Sequence, residues 1–250
     1  MFKLINSICI ALSLLLGGAA GAADWSLVVN DMRFMREEEK LARDVYATLY
    51  DYLSNQEVTL KIFDKIASSE QKHMNAMKKL LEKYGIPDSA VEGGQGIYPL
   101  SCRDAECLFN NTDLAALYTR LITDGKGDAL DAFLVGAYIE ELDMTDLQEA
   151  IDNAAGYPEI QEVYENLLCG SANHLRAFAR NIELTGTSYL DATEDYLVNI
   201  RPTMDDPDYE AYMAALEAVL TDQMEICGKG DGKGPRGKGR GPKGPKGPGG

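Results

Sequence analysis

Apolar residues recur at helical spacing along almost the whole chain, and no segment alternates apolar and polar residues as a half-buried strand does. Four long helices are predicted, over residues 26–53, 59–84, 128–153 and 158–184, with shorter helices over 112–123 and 207–226. Gly85-Ile-Pro87 ends the second long helix, and Thr112 is the predicted N-cap of the first short one. The pattern therefore predicts an all-α protein.

The connections between these helices indicate how they are arranged. A loop over about 88–111 separates the second and third long helices. A connection of this length is typical of a crossover between the two halves of a four-helix bundle. We therefore expect a four-helix bundle with one long crossover, and we expect the helix over 207–226 to pack outside it as an extra C-terminal helix.

The first residues of the chain do not belong to this helical body. Residues 1–22 have the pattern of a signal peptide, since Lys3 precedes an apolar stretch over 8–16 and small residues end at Ala22. We expect export to the periplasm or the extracellular space, and a helical domain over 23–227 with its core over about 27–186. No later uncharged run is long enough to serve as a transmembrane anchor.

Export would place the four cysteines after the signal peptide in a compartment that permits disulfides. Cys102 and Cys107 share one loop and form the first expected pair, which leaves Cys169 to join Cys227 and tie the last helix to the bundle. Four cysteines allow three connectivities, and the sequence does not choose among them. A thiolate metal site is the alternative, although this spacing is a poor zinc pattern.

The net charge of −16 is unevenly distributed, because residues 228–250 carry seven basic residues against one acidic residue. The rest of the chain is strongly acidic, so it repels nucleic acid and concentrates cations around itself. The Gly/Lys/Pro-rich tail has no apolar residues to bury and is predicted to be disordered. It is a candidate contact for acidic polymers or for the acidic bodies of other copies, and a homodimer is one assembly we consider.

The chain has two histidines, His73 and His174, and the shift of 101 positions that relates them also carries Glu39 onto Glu140. Glu-x-x-His places a carboxylate and an imidazole one turn apart on one helix face. In di-iron bundles, two helices each give a Glu and two each give Glu-x-x-His. The repeat therefore predicts a metal centre in the core of the bundle.

The remaining ligand, Glu70, opens the motif Glu70-x-x-His73, and the same shift places Ser171 where a second such carboxylate is expected. A neutral hydroxyl balances less positive charge than a carboxylate does. Carboxylates and imidazoles together favour iron or manganese over copper. We expect two iron ions, with manganese or a single ion as the alternatives.

Each candidate ligand also has a simpler interpretation. Glu39 lies in the run Arg36–Lys40, which could be an ordinary solvated helix face, and a buried histidine without a metal is common. Glu140 is chosen over its neighbour because the shift pairs it with Glu39. The further candidates are Glu141, Asp143 and Ser171.

Four segments resemble a known family: Met35–Tyr46, Ser69–His73, Gly136–Asp143 and Gly170–Phe178. They look like an exported ferritin-like family catalogued as domain of unknown function 2202, over roughly residues 27–200, which implies a ferritin-like bundle. More distantly, Glu39-x-x-Ala42-x-x-x-Tyr46 is similar to the first helix of rubrerythrins, whose di-iron centres react with oxygen or peroxide. That similarity implies metal ligands at Glu39, Glu70, His73, Glu140 and His174, with Ser171 standing where the rubrerythrin pattern has Glu.

Three functions are compatible with these residues. The first is an iron-dependent oxidoreductase acting on oxygen, peroxide or ferrous ion, with Tyr46 or Tyr138 supplying a proton or an electron. The second is a metal-binding or storage module without turnover. The third is a structural bundle in which the buried polar residues satisfy one another by hydrogen bonds. The sequence has no phosphate-binding loop, and both histidines are already assigned to the bundle interior.

Overall fold

A computed structural model describes residues 24–90, except 57 and 59, and residues 109–227. These residues form seven α-helices and one short 3₁₀ helix and contain no β-strand, so the all-α prediction is confirmed. The predicted signal peptide, the pair Cys102 and Cys107, and the basic tail lie outside the described residues.

The four long helices begin and end within two residues of their predicted bounds. In chain order the helices are α1 Trp25–Ser54, α2 Lys61–Lys83, α3 Thr112–Asp124, α4 Ala129–Asn153, α5 Pro158–Glu183, α6 Tyr189–Thr193 and α7 Tyr209–Leu220, followed by the 3₁₀ helix Glu225–Cys227.

Two details of the prediction were wrong, and α6 was not predicted. Asn111 rather than Thr112 caps α3, because its side chain accepts hydrogen bonds from the backbone N–H groups of residues 113 and 114. The last helix ends at Leu220 rather than at Ile226. A turn follows it in which Asp222 has a φ of 58°, and such a residue cannot continue a right-handed helix.

The four long helices close a ring of contacts. α1 packs along α2 and α4 packs along α5, and the two pairs meet where α1 contacts α4 and α2 contacts α5. Two apolar clusters fill the two ends of this ring. The aromatic cluster includes Tyr46, Phe63, Phe133 and Phe178, and the methionine cluster includes Met32, Met35, Met77 and Leu147.

The two clusters give each helix its direction. α1 and α5 pass from the methionine cluster to the aromatic cluster along the chain, whereas α2 and α4 pass the other way. α1 is therefore antiparallel to α2, and α4 is antiparallel to α5, but α2 and α4 run in the same direction. The chain therefore leaves α2 at the methionine cluster and enters α4 at the aromatic cluster.

The C-terminal part of the chain packs on the outside of the ring. α7 and the 3₁₀ helix contact α5, and α6 contacts both α5 and α4. A disulfide between Cys169 and Cys227 fixes the end of the described chain to α5, as the second of the two expected pairs. Among the described helices, none combines the length and the apolar composition needed to cross a membrane.

Removing the disulfide should destabilise the protein. Its two cysteines are 58 residues apart, and a cross-link over a loop of this size contributes about 2–4 kcal/mol by restricting the unfolded chain. We expect Cys169→Ala/Cys227→Ser to lose about that much free energy of unfolding in urea denaturation followed by circular dichroism. Cys102→Ser/Cys107→Ser, whose predicted bond closes a much shorter loop, is the control and should lose less. An unchanged denaturation midpoint in the first variant would contradict a stabilising bond.

Candidate metal centre

A band of charged side chains separates the two apolar clusters. In α1 this band is the run Arg36–Lys40, in which no residue is more than 4% exposed. Successive residues of a helix point in directions about 100° apart, so the side chains of this run face different neighbours. Arg36 pairs with Asp88, and Lys40 pairs with Asp44. Glu37 accepts hydrogen bonds from the backbone N–H groups of Asn110 and Asn111. The burial of the whole run contradicts the interpretation of a solvated helix face.

Five of the predicted ligands meet in this band. α1 contributes Glu39, α2 contributes Glu70 and His73, α4 contributes Glu140, and α5 contributes His174. They form two groups that share Glu70, one with Glu39 and His73 and the other with Glu140 and His174. Within each group the candidate ligand atoms lie within 4.8 Å of one another. The sequence shift that relates the two histidines therefore relates the two halves of one centre.

The carboxylate of Glu70 lies between two imidazole rings. Its Oε2 is 2.7 Å from His73 Nδ1, and its Oε1 is 2.6 Å from His174 Nδ1. The centroids of the two rings are 5.4 Å apart. Glu39 Oε2 lies 3.1 Å from His73 Nδ1, and Glu140 Oε2 lies 3.5 Å from His174 Nδ1. Each histidine thus presents Nδ1 to two carboxyl groups, one shared and one its own.

In this band, burial disfavours the charged forms of the carboxyl and imidazole groups, whereas attraction between opposite charges favours them. Burial disfavours the charged form of Glu70, but His174 and His73 outweigh it and lower the pKa of this carboxyl. Burial also disfavours the charged imidazoles, but the surrounding carboxyl groups raise the pKa of both, that of His174 to about 10. Burial raises the pKa of Glu39 to about 8 against the opposing effect of His73, and it raises the pKa of Glu140. A metal ion bound at Nδ1 would therefore replace protons that the histidines hold.

The donor set fits a metal ion. The buried atoms Glu39 Oε1, Glu70 Oε1 and His174 Nδ1 have no hydrogen-bond partner, although buried polar atoms normally have one. His174 Nδ1 and Glu70 Oε1 are only 2.6 Å apart, but their approach lacks the direction of a hydrogen bond, so they converge without being bonded to each other. Two ligand atoms that each lie about 2.1 Å from one ion are up to about 4.2 Å from each other. The candidate ligand atoms of each group lie within 4.8 Å of one another, which is only slightly wider.

Tyr46 is fully buried beside the centre, within the aromatic cluster. Its hydroxyl donates a hydrogen bond to Glu140 Oε1 over 2.6 Å. Burial, and then the charge of Glu140, raise the pKa of Tyr46 well above its ordinary value, so it remains a neutral donor. Tyr138, the other tyrosine considered from the sequence, packs instead against Tyr196 and Arg120.

Ser171 faces a carboxyl group of the neighbouring helix. Its hydroxyl donates to Asp143 Oδ2 over 2.5 Å. The other oxygen of Asp143 is buried without a hydrogen-bond partner. Burial, followed by the charges of Glu39 and Glu140, raises the pKa of Asp143 well above its ordinary value. At position 171, where the repeat lacks a carboxylate, the serine hydroxyl is therefore paired with the carboxyl group of Asp143 from α4.

Glu141 lies in a different polar cluster from its neighbour Glu140. It accepts hydrogen bonds from the hydroxyls of Tyr189 and Tyr212, each over 2.5 Å, and it forms two more with the guanidinium of Arg201. These partners belong to α6, to α7 and to the segment between them, so the cluster joins the C-terminal layer to α4. Both oxygens of Glu141 are thus already paired, away from the two histidines.

Sequence reasoning missed Gly170. A Cβ atom at this position would lie 2.5 Å from Cε1 and Nε2 of His73, so the absence of a side chain makes room for the imidazole against α5. A glycine inside a helical pattern normally has a packing reason, and this signal was available in the sequence. Gly136 in α4 follows the same rule, since a Cβ there would lie 2.4 Å from the ring of Phe178.

Comparison with known proteins identifies relatives of the chain. The family model described as "Uncharacterized protein domain (DUF2202)" matches residues 29–197, a range that includes all five candidate ligands. Uncharacterized protein MJ0754 of Methanocaldococcus jannaschii is 46% identical over 155 residues, which cover 62% of this chain and 75% of that protein. A crystal structure described as hypothetical protein MJ0754 from Methanococcus jannaschii DSM 2661 matches with a TM-score of 0.59 and 36% identity, over 82% of this chain and 97% of the other. Neither description states an activity.

The two glycines provide a matched test of the centre. Gly170→Ala should displace the His73 ring and weaken cobalt(II) binding about tenfold or more, as measured by competition with a chromophoric chelator. Gly136→Ala introduces a similar clash against Phe178 and should reduce stability by about 1–3 kcal/mol with little effect on affinity. Equal losses of affinity in the two variants would mean that Gly170 has no specific role at the centre.

Proposed function

Since the chain belongs to the uncharacterized protein domain family DUF2202, we propose that it is a metal-binding protein whose centre holds two iron ions. Glu39 and His73 would bind one ion, Glu140 and His174 would bind the other, and Glu70 would lie between them. The observation that carries this proposal is the shared carboxylate, whose two oxygens approach the two imidazoles at 2.7 and 2.6 Å. Manganese is the alternative metal, because oxygen donors combined with imidazole suit either ion.

We also propose that the fold is a ferritin-like four-helix bundle. The directions and contacts of α1, α2, α4 and α5 support this assignment, because two antiparallel pairs are joined by one long crossover. Bundles of this kind build metal sites from inward-facing side chains of all four helices. The five candidate ligands come from the four long helices in the same way.

We infer that the protein acts as an iron-dependent oxidoreductase on oxygen, peroxide or ferrous ion. Bound iron would supply the electrons that reduce an O–O bond. The residues of the chain contribute in other ways: the two apolar clusters keep bulk water from the band, and Glu70 lies against both imidazoles. Tyr46 holds a proton on its hydroxyl 2.6 Å from Glu140 Oε1, and we assign it the role of proton donor.

Binding or storage of metal without turnover is the second candidate function, and Ser171 is the observation that favours it. The serine offers a neutral hydroxyl where the repeat calls for a carboxylate, and this hydroxyl is engaged by Asp143. Less negative charge around the second position would hold the second ion more loosely. A centre with one firmly bound ion would suit binding better than a reaction that needs two electrons from two ions.

Export to the periplasm or the extracellular space remains part of the proposal. Disulfides persist in oxidising compartments and are rare in the cytosol of most organisms. The bond between Cys169 and Cys227 therefore supports an exported protein.

The adjacent residues Glu140 and Glu141 provide matched variants for metal analysis. We expect Glu140→Gln to lower the iron content from about two ions per chain toward one, because it neutralises a proposed ligand. Glu141→Gln should keep the wild-type content but lose about 1–3 kcal/mol of stability, because Arg201 loses its charged partner. Elemental analysis and urea denaturation measure the two effects. Wild-type protein that takes up no iron or manganese would overturn the metal-binding proposal.

Turnover is tested by loading the protein with ferrous iron without oxygen and then adding a pulse of oxygen or peroxide. We expect ferrous iron to disappear faster than in protein-free buffer, as followed with a ferrous-specific chelator. Tyr46→Phe should slow this oxidation by about a hundredfold, the usual contribution of a positioned proton donor. Oxidation at the buffer rate by iron-loaded wild-type protein would favour storage over the oxidoreductase.

A further inference from the structure

A second group of acidic residues lies beside the metal centre, between α1 and α4, and the proposed function does not use it. Its members are Asp31 and Glu38 from α1 and Asp143, Asp146 and Glu149 from α4. We call this group the acidic path. Its electrostatic interactions extend from Glu149, which is exposed, to Asp143, which interacts with the proposed ligands.

Glu38 is the central member of the acidic path. It is 1% exposed, and neither of its carboxyl oxygens has a hydrogen-bond donor. The groups that act on it most strongly are other acids, first Asp146 and then Asp143. Glu38 and Asp146 are within hydrogen-bonding reach of each other, but two carboxylates have no proton to share, so only a proton or a cation can join them. An unpaired buried carboxylate of this kind is costly.

The inner end of the path meets the proposed ligands. Asp143 interacts electrostatically with Glu39, Glu140 and Glu70 as well as with Glu38. The hydroxyl of Ser171 holds one of its oxygens, and the other is buried without a hydrogen-bond partner. Asp143 therefore has one oxygen without a hydrogen-bond partner and interacts both with Glu38 and with the proposed ligands.

The outer end of the path leads to the surface. Asp146 interacts with Asp31 and Glu149 as well as with Glu38, and Glu149 is exposed. Asn153 donates a hydrogen bond to Asp31 over 3.1 Å. The hydroxyl of Tyr164, which is buried without a hydrogen-bond partner, lies near Asp31. Carboxyl groups are thus present from Glu149 inward, and the amide of Asn153 is paired with one of them, Asp31, at the outer end.

We propose that the acidic path conducts divalent cations from the surface at Glu149 to the metal centre, with Glu38 and Asp146 binding the cation together midway. The path rests on the proposed metal-binding function, because it leads to that centre. A line of one charge sign between low-dielectric walls concentrates counter-ions and speeds their arrival. Two facing carboxylates supply oxygen ligands of the kind that hard divalent ions prefer.

The test measures how fast metal arrives rather than how much is bound at the end. Cobalt(II) is mixed with the mature, metal-free protein, and the visible absorption of the bound ion is followed by stopped flow. Glu38→Gln and Asp146→Asn should each load roughly tenfold more slowly than wild type and should reach the wild-type cobalt content after long incubation. Asp51→Asn, which removes an exposed carboxylate from the same helix as Glu38, is the matched control and should load at the wild-type rate.

Glu38→Asp keeps the charge and should load at nearly the wild-type rate, which separates the role of the carboxylate from a general effect of substitution at this position. Circular dichroism of each variant establishes that it is folded before its rate is compared. Wild-type loading rates in both Glu38→Gln and Asp146→Asn would overturn the path. A cobalt content that falls as in Glu140→Gln would also overturn it, because the two residues would then be ligands of the centre. Wild-type protein that binds no cobalt at all would instead overturn the proposed function.

Discussion

The structure depends on the burial of one carboxylate, Glu70, between two imidazole rings. A buried carboxylate without a partner would be strongly unfavourable, and Glu70 escapes this cost because His73 and His174 each approach one of its oxygens. One histidine lies on the same helix as Glu70 and the other on α5, so the pairing joins the α1–α2 pair of helices to the α4–α5 pair. Removing one partner from a buried ion pair typically costs about 3–5 kcal/mol of stability. The packing of the other side chains must therefore leave this contact intact.

The side chains between the helices are arranged in layers around this contact. Apolar side chains fill the two ends of the ring of four long helices, and the charged band crosses its middle, where all four of these helices contribute polar residues. Each helix therefore changes character along its length, from apolar to charged and back to apolar. A site enclosed in this way is held by the packing on both sides, so the positions of its donors are set by the helices rather than by loops. Gly170 illustrates how close the fit is, since an additional methyl group would overlap the ring of His73.

Much of this arrangement could be predicted from the sequence, because helices have a regular period and the two halves repeat. The repeat selected Glu39 and Glu140 from runs of acidic residues, and the structure brings both of them to the histidines. The roles of Glu38 and Glu141 could not be predicted, because they depend on which neighbouring helix each side of α1 or α4 meets. Glu141 is bound by residues far along the chain, in a layer whose packing no periodicity indicated. Asp143 shows the same limit, since its partner Ser171 was recognised only as a missing carboxylate.

The disulfide between Cys169 and Cys227 also fixes the position of the last described residues of the chain. Cys169 is next to Gly170, the residue that contacts His73, and the tail begins at residue 228, directly after Cys227. Cys169 therefore lies on the part of α5 that forms one wall of the candidate metal centre. The covalent bond thus couples the last described residues of the chain to one wall of the candidate metal centre.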